Sequence, residues 1–99
     1  MERTIALANI AGIHALRGQF DEAVRLYESE VLPALERLRA EGDLAMARWV
    51  LAQILMQRGR VEEDRARIVA LIGQAHQAAK RMGLPLAAEI EGLFRQAAE

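Results

Sequence analysis

Cysteine is absent from this sequence of 99 residues. Its absence excludes disulfides, thiolate nucleophiles and sulfur-ligated metal sites. Aromatic residues are scarce at 4 %, and the β-branched and aromatic runs that mark strands are missing. Apolar residues nevertheless make up 53 %, and most of them are alanine and leucine, which favour helix. The sequence therefore predicts an all-α protein with enough apolar content for one small core.

An excess of charge of either sign is also lacking, because 13 Lys and Arg oppose 14 Asp and Glu, for a net charge of −1. Proteins that bind nucleic acid or anionic membranes carry a basic excess, so we expect neither as a partner. No run approaches 18 apolar residues, and no basic start leads into an apolar stretch. These features predict a soluble, cytoplasmic protein with a single domain over residues 1–99.

Glycine turns recur at an interval of 41 residues. The segment RGQFDEA at 17–23 returns as RGRVEED at 58–64, and EGD at 41–43 is followed by MGL at 82–84. Glycine accepts the left-handed conformation in which many helices end, so each of these glycines is expected to close a helix. The repeat thus predicts architecture rather than chemistry: helices joined by short turns, which must pack antiparallel to their neighbours.

The turns divide the chain into five expected helices. Asp21 and Asp43 are the expected N-caps of the second and third helices, and Gly42 is expected to close the second. Pro33 lies inside the second helix, where it removes a hydrogen bond, so we expect a kink or break near Leu32. The expected helices cover residues 4–17, 21–40, 44–58, 62–81 and 85 to the C-terminus.

The stretch Gly-Gln-Phe-Asp-Glu-Ala at residues 18–23 resembles the turn between the two helices of a tetratricopeptide repeat. The preceding helix is similar to the family in having two large residues and a small one, Leu7, Ile10 and Ala11, and Tyr27 matches the family's aromatic position. A second unit is similar but more degenerate, and at Asp64 it departs from the small alanine of the family. Its matching positions are Leu51, Ala52, Leu55, Gly59, Val61 and Ile68.

The interval of 41 residues exceeds the family's usual length of about 34. Long units with a Glu-x-Leu-Pro stretch, here residues 30–33, look like bacterial arrays of this family. The resemblance implies an α-solenoid of antiparallel helical hairpins: repeat one at about 4–41, repeat two at about 43–82 and a capping helix at about 85–98. It also implies a protein–protein interaction scaffold, part of a larger or oligomeric assembly, that binds a peptide or partner helix in a concave groove.

Residues able to carry chemistry are few and scattered. His14 and His76 lie on different helices without metal-ligand spacing. Ser29, the one serine, has no adjacent base. The acidic run at 62–64 suits the first turn of a helix and precedes two arginines, which indicates a solvated ionic face. We expect no catalytic residues, no bound metal and no cofactor, and hence no enzyme.

The predicted partner-binding groove is centred on Trp49, because the resemblance implies that this part of the first helix of repeat two faces the concave side. Met46 and Gln53 share that face, and Asn9 and Met56 are its neighbours. Tryptophan is enriched among binding hot spots, and methionine adapts to varied partners. The alternative is that Trp49 fills the core between the hairpins. Chaperone-binding members of the family hold a C-terminal carboxylate with lysine, asparagine and arginine on these helices. Only Asn9 matches that set, so an apolar or helical ligand is expected.

The first helix is apolar on nearly every side, and such a helix should be covered on every side. Ile5, Leu7, Ile10 and Ile13 therefore form a possible self-association surface, and a homodimer is a possible assembly. Two other functions stay open: a homo-oligomerisation module with no separate ligand, and a small-molecule sensor that holds an apolar effector in the groove.

Overall fold

The computed structural model describes residues 2–98, and every regular element in that range is helical. The three elements from Phe20 to Leu38 run on as one helix, so five helical segments stand where five were expected. The all-α prediction is confirmed; Met1 and Glu99, the ends of the predicted domain, lie outside the described residues. The elements are α1 (Glu2–Leu16), α2 (Phe20–Leu26), a π-helical turn (Tyr27–Val31), α3 (Leu32–Leu38), α4 (Glu41–Arg58), α5 (Val61–Met82) and α6 (Leu86–Ala98).

Three of the four predicted glycine turns have the expected backbone. Gly18, Gly59 and Gly83 have φ angles of 77°, 85° and 68°. A β-carbon is disfavoured in this left-handed region, which is why glycine occupies these positions and why the sequence locates them. At the ends of α4 and α5 the N–H groups of Gly59 and Gly83 each donate to a helix carbonyl at 3.2 Å, closing the last turn.

The fourth turn, between α3 and α4, was predicted wrongly. Arg39, not Gly42, adopts the left-handed conformation, with φ of 53°. The N–H of Ala40 then bonds back to Leu35 at 3.1 Å, and α4 begins at Glu41. Gly42 and Asp43, the predicted C-cap and N-cap, therefore lie inside the first turn of α4. A non-glycine residue can take this conformation at a cost of about 1–2 kcal/mol, so composition alone did not reveal the turn.

Both predicted aspartate N-caps are also wrong in the same way. Gln19 precedes α2 and Ala40 precedes α4, so Asp21 and Asp43 lie in the first turns of these helices. Carboxylates in that position still interact favourably with the positive end of the helix dipole.

Pro33 distorts its helix without ending it. Proline has no N–H to donate to the carbonyl of Ser29, and its ring crowds that carbonyl. The distortion takes the form of a π-helical turn, in which the Leu32 N–H donates to the carbonyl of Tyr27, five residues earlier. The chain then continues as α3, so the distortion lies directly before the predicted position, and a wider turn replaces the expected break.

Helix α4 is the centre of the fold. It packs most extensively on α5 and also contacts α2, the π-helical turn and α3, while α6 packs on α5. The largest fully buried side chains are Leu51, Leu55, Ile90 and Val31, which come from α4, α6 and the π-helical turn. The Cα radius of gyration is 13.2 Å, close to the roughly 13 Å of a globular chain of this length. The helices therefore share a single core.

A buried ion pair fastens the turn between α4 and α5. Asp64, with a side chain only 5 % exposed, accepts two hydrogen bonds from Arg58 at 2.9 and 2.8 Å. The same guanidinium also donates to Asp21 of α2 at 2.9 Å, and these bonds raise the pKa of Arg58. Arg67 pairs with Glu28 further along α5. The acidic run predicted that Asp64 lies on a solvated face, but the side chain is buried. The hydrogen bonds from Arg58 replace those that the Asp64 carboxylate would make to water.

Candidate partner-binding face

An open groove of about 620 Å³ lies on the surface between α1 and α4. Side chains from both helices line it at helical spacing, so that Asn9 and Ile13 of α1 lie opposite Val50 and Gln53 of α4. None of the described residues that line this groove is charged. The groove can therefore accept an apolar segment without leaving a charge of its own unpaired.

A smaller cavity of about 200 Å³ lies next to this groove, between α1, the π-helical turn and α4. Ala8, Asn9 and Val50 line both spaces, so the two are continuous. Tyr27 and Thr4 contribute the buried polar side chains of the cavity. Burial raises the pKa of the Tyr27 phenol, because the charged phenolate would lose its hydration.

A third depression continues the surface from α4 to α6. Met46 and Asp43 line it as well as the small cavity, and Leu84, Pro85 and Glu89 form its other wall. The three spaces together are called the α1–α4–α6 face below. Asp43 and Glu89 are the charged residues among the described linings, and both are acidic. The face is therefore uncharged along most of its length and negative at one end.

Three of the predicted groove residues lie on this face. Met46 is 46 % exposed, and Asn9 and Gln53 are exposed beside the α1–α4 groove. Trp49 is only 6 % exposed and belongs to the core, which was the alternative interpretation. Met56 is half-buried, packs against the core and lines none of the three spaces. That these residues bind a partner remains a prediction. Trp49, the expected anchor, is buried and offers no free surface for binding.

Helix geometry explains the misplacement of Trp49. At about 100° per residue, Met46, Val50 and Gln53 lie within about 40° of one line along α4. Trp49 and Met56 lie about 60–80° to one side of that line, which turns them away from the face and toward the core. Two residues that sequence reasoning missed, Asp43 and Glu89, enter the face at the first turns of α4 and α6.

The predicted self-association surface is largely open to solvent. Ile5, Ile10 and Ile13 are each about half exposed, while Leu7 is half-buried against the core. Leu16, which the prediction omitted, is 90 % exposed at the end of α1. Helix α1 thus has one side in the core and an outer side that is apolar and uncovered in the single chain.

Both histidines have local partners. The Nδ1 atom of His14 lies 2.6 Å from the Oε1 atom of Gln19, and the Nε2 atom of His76 lies 3.2 Å from Glu91 across α5 and α6. Among the side chains that the structure describes, no group of three or more metal-ligating residues converges. None of the described helices is both long and apolar enough to cross a bilayer.

Comparisons of the chain with family models, with curated proteins and with solved structures found no match. The resemblance to tetratricopeptide repeats therefore depends on the residues quoted above.

Proposed function

We propose that this chain is a protein–protein interaction module, not an enzyme, which binds a peptide or helix of a partner protein along the α1–α4–α6 face. We further propose that its helices form two tetratricopeptide-like hairpins and a capping helix, stacked as a short α-solenoid. In that arrangement α1, α4 and α6 are successive helices of one layer. A surface formed by one layer of helices is where solenoid proteins present their concave binding faces.

The observation that carries the proposal is the exposed apolar surface on facing helices. Ile5, Ile13 and Met46 are each about half exposed along the linings of continuous depressions. Monomeric proteins rarely leave such contiguous patches without a role. A partner helix that covered about 400 Å² of apolar surface here would gain roughly 10 kcal/mol, part of which offsets the cost of association. Since association costs at least about 4 kcal/mol, the net gain is at most about 6 kcal/mol, and the expected affinity is in the tens of micromolar or weaker.

Self-association is the second candidate, and the exposure of Leu16 and Ile10 favours it. A stable dimer generally buries about 800 Å² on each partner. The outer side of α1 offers on the order of half that area, so a dimer would also need part of the groove. The small cavity is the basis of a third candidate, in which an apolar effector rather than a protein is sensed.

The proposal is tested by comparing two matched charge insertions. Met46→Lys places a cation on the face, whereas Val69→Lys places one at an exposed apolar residue of α5 that lines none of the three depressions. We expect a partner recovered from native extract to be retained by the wild type and by Val69→Lys, and lost by Met46→Lys. Equal retention by all three would refute binding at this face. Light scattering over a wide concentration range separates this outcome from self-association.

A further inference from the structure

Polar groups line the cavity between α1, the π-helical turn and α4. If an apolar helix covered this cavity, these groups would have no hydrogen-bond partners. Thr4 and Tyr27 line it and are only 7 % and 5 % exposed. Among the described residues, no side-chain hydrogen bond involves either hydroxyl. Arg58 Nε is the one buried side-chain polar atom without a hydrogen bond among the described residues, so the two hydroxyls are not sealed off unpaired. A ligand that filled the cavity would exclude solvent from them and would have to supply a polar atom in its place.

The charged groups that line the cavity favour a cationic ligand. Asp43 is the one charged side chain among the described residues that line it, and Asn9 adds an amide. The carboxylate carries a full negative charge, whereas the nearby N-terminus of α4 offers only about half a positive charge. The balance at the mouth is therefore negative. The ring of Tyr27 favours a cation as well, since the face of an aromatic ring is electron-rich.

The size of the cavity selects one side chain and not a whole helix. Its volume is about 200 Å³, and a water molecule occupies about 30 Å³ in the liquid, so it holds roughly six or seven non-hydrogen atoms. Lysine and arginine side chains are of this size. Their methylene stems suit the apolar walls formed by Ile5, Ala8 and Val50, and their heads reach toward polar groups.

We propose that this cavity receives the lysine or arginine side chain of a partner segment bound on the α1–α4–α6 face. The cationic head lies against Asp43 and the tyrosine hydroxyl, and the neighbouring apolar residues of the segment lie along the groove toward Gln53. The inference depends on the proposed function and specifies the chemistry of its partner. Glu89, beyond Met46, adds a second carboxylate at the same end of the face. The bound segment is thereby oriented with its cationic end at α6.

The first test needs no known partner. A display library of short random peptides is selected on the wild-type chain and counter-selected on Met46→Lys, whose added cation lies beside the cavity and repels a cationic peptide. We expect the enriched peptides to carry a lysine or arginine at a fixed spacing from apolar residues. Enrichment of apolar peptides without a cation would overturn the cation site and leave the proposed function standing. If no peptide survives counter-selection, both proposals fail.

The second test measures the charge contact in the most enriched peptide. Replacing its cation by norleucine is expected to weaken binding about three- to tenfold, and Asp43→Asn should weaken the original peptide by a similar factor. The norleucine peptide should not respond to Asp43→Asn. Glu63→Gln, at another exposed first-turn carboxylate, is the matched control and should change neither affinity.

Tyr27→Phe separates the hydroxyl from the ring and should have a smaller effect on the cationic peptide than Asp43→Asn. Equal loss of both peptides in Asp43→Asn would mean that the variant alters the fold rather than a charge contact, and the cation site would be rejected. Competition with a simple alkyl diamine checks the source of the cation. If the free diamine binds more tightly than the peptide, a small molecule and not a partner side chain is the ligand.

Discussion

The ion pair between Arg58 and Asp64 gives the sharpest stability prediction. Asp64→Ala would leave a guanidinium that is only 13 % exposed, with Asp21 as its remaining carboxylate partner at 2.9 Å. Removing one partner of a buried pair costs about 3–5 kcal/mol, and the remaining contact places this variant at about 3–4 kcal/mol. Among the described residues the Nε atom of Arg58 has no hydrogen-bond partner, so the buried guanidinium depends mainly on its Nη2 bonds to Asp64.

The assay is urea unfolding followed by the fluorescence of Trp49, the one tryptophan, which is buried in the core. With an m-value of about 1.5 kcal/mol per molar urea, the midpoint should fall by about 2–3 M. Asp21→Asn is the matched control. It removes a carboxylate that is 68 % exposed and should cost less than about 1 kcal/mol.

A compensating variant distinguishes charge from packing. In Asp64→Ala with Arg58→Met, an apolar side chain replaces the stranded cation, and most of the lost stability should return. The reasoning is refuted if Asp64→Ala alone shifts the unfolding free energy by less than about 1 kcal/mol, or if the double variant is less stable than the single one.

Three further predictions follow from single sites. Burial raises the pKa of Tyr27, the one tyrosine, so its absorbance should titrate above pH 10 in the folded chain and near pH 10 in urea. Because the unfolded chain loses this proton first, stability should fall as the pH rises from about 10 toward the folded pKa, and Tyr27→Phe should reduce that loss. Gly59→Ala should lower stability by about 1–2 kcal/mol, because Gly59 has a positive φ that alanine disfavours. Gly73→Ala should raise stability by up to about 1 kcal/mol, because Gly73 lies inside α5 with open space around it. Thermal unfolding of the two variants measures both effects. Met46→Lys should change stability by less than about 0.5 kcal/mol, since the residue is half exposed, and a larger loss would mean that it supports the core.

Much of the fold is predictable because its signals are local. Gly18, Gly59 and Gly83 mark helix ends through a backbone conformation that other residues avoid. Pro33 signals a distortion for an equally local reason, although the choice between a break and a π-helical turn depends on the tertiary packing of the helix. The left-handed conformation of Arg39 could not be predicted from the sequence. Its backbone strain is offset by the rest of the fold and not by the neighbouring residues in the sequence.

The candidate face is less predictable because it forms between distant segments. Asn9, Met46 and Gln53 were found by position within a repeat, and they do lie on one surface. Trp49 was misplaced because hydrophobic character cannot distinguish a core residue from an exposed anchor. Glu89 joins Asp43 in one depression only because α6, packed on α5, brings its first turn near the start of α4, an arrangement that no local pattern indicates.

The most direct test of the central claim is backbone NMR shift mapping of the chain with the selected cationic peptide. We predict that the perturbed amides cluster in α1, in α4 from Asp43 to Gln53 and at the start of α6, with the amide of Asp43 among the most affected. Perturbations that centre on the exposed side of α5, around Val69, would contradict it and place the binding surface elsewhere.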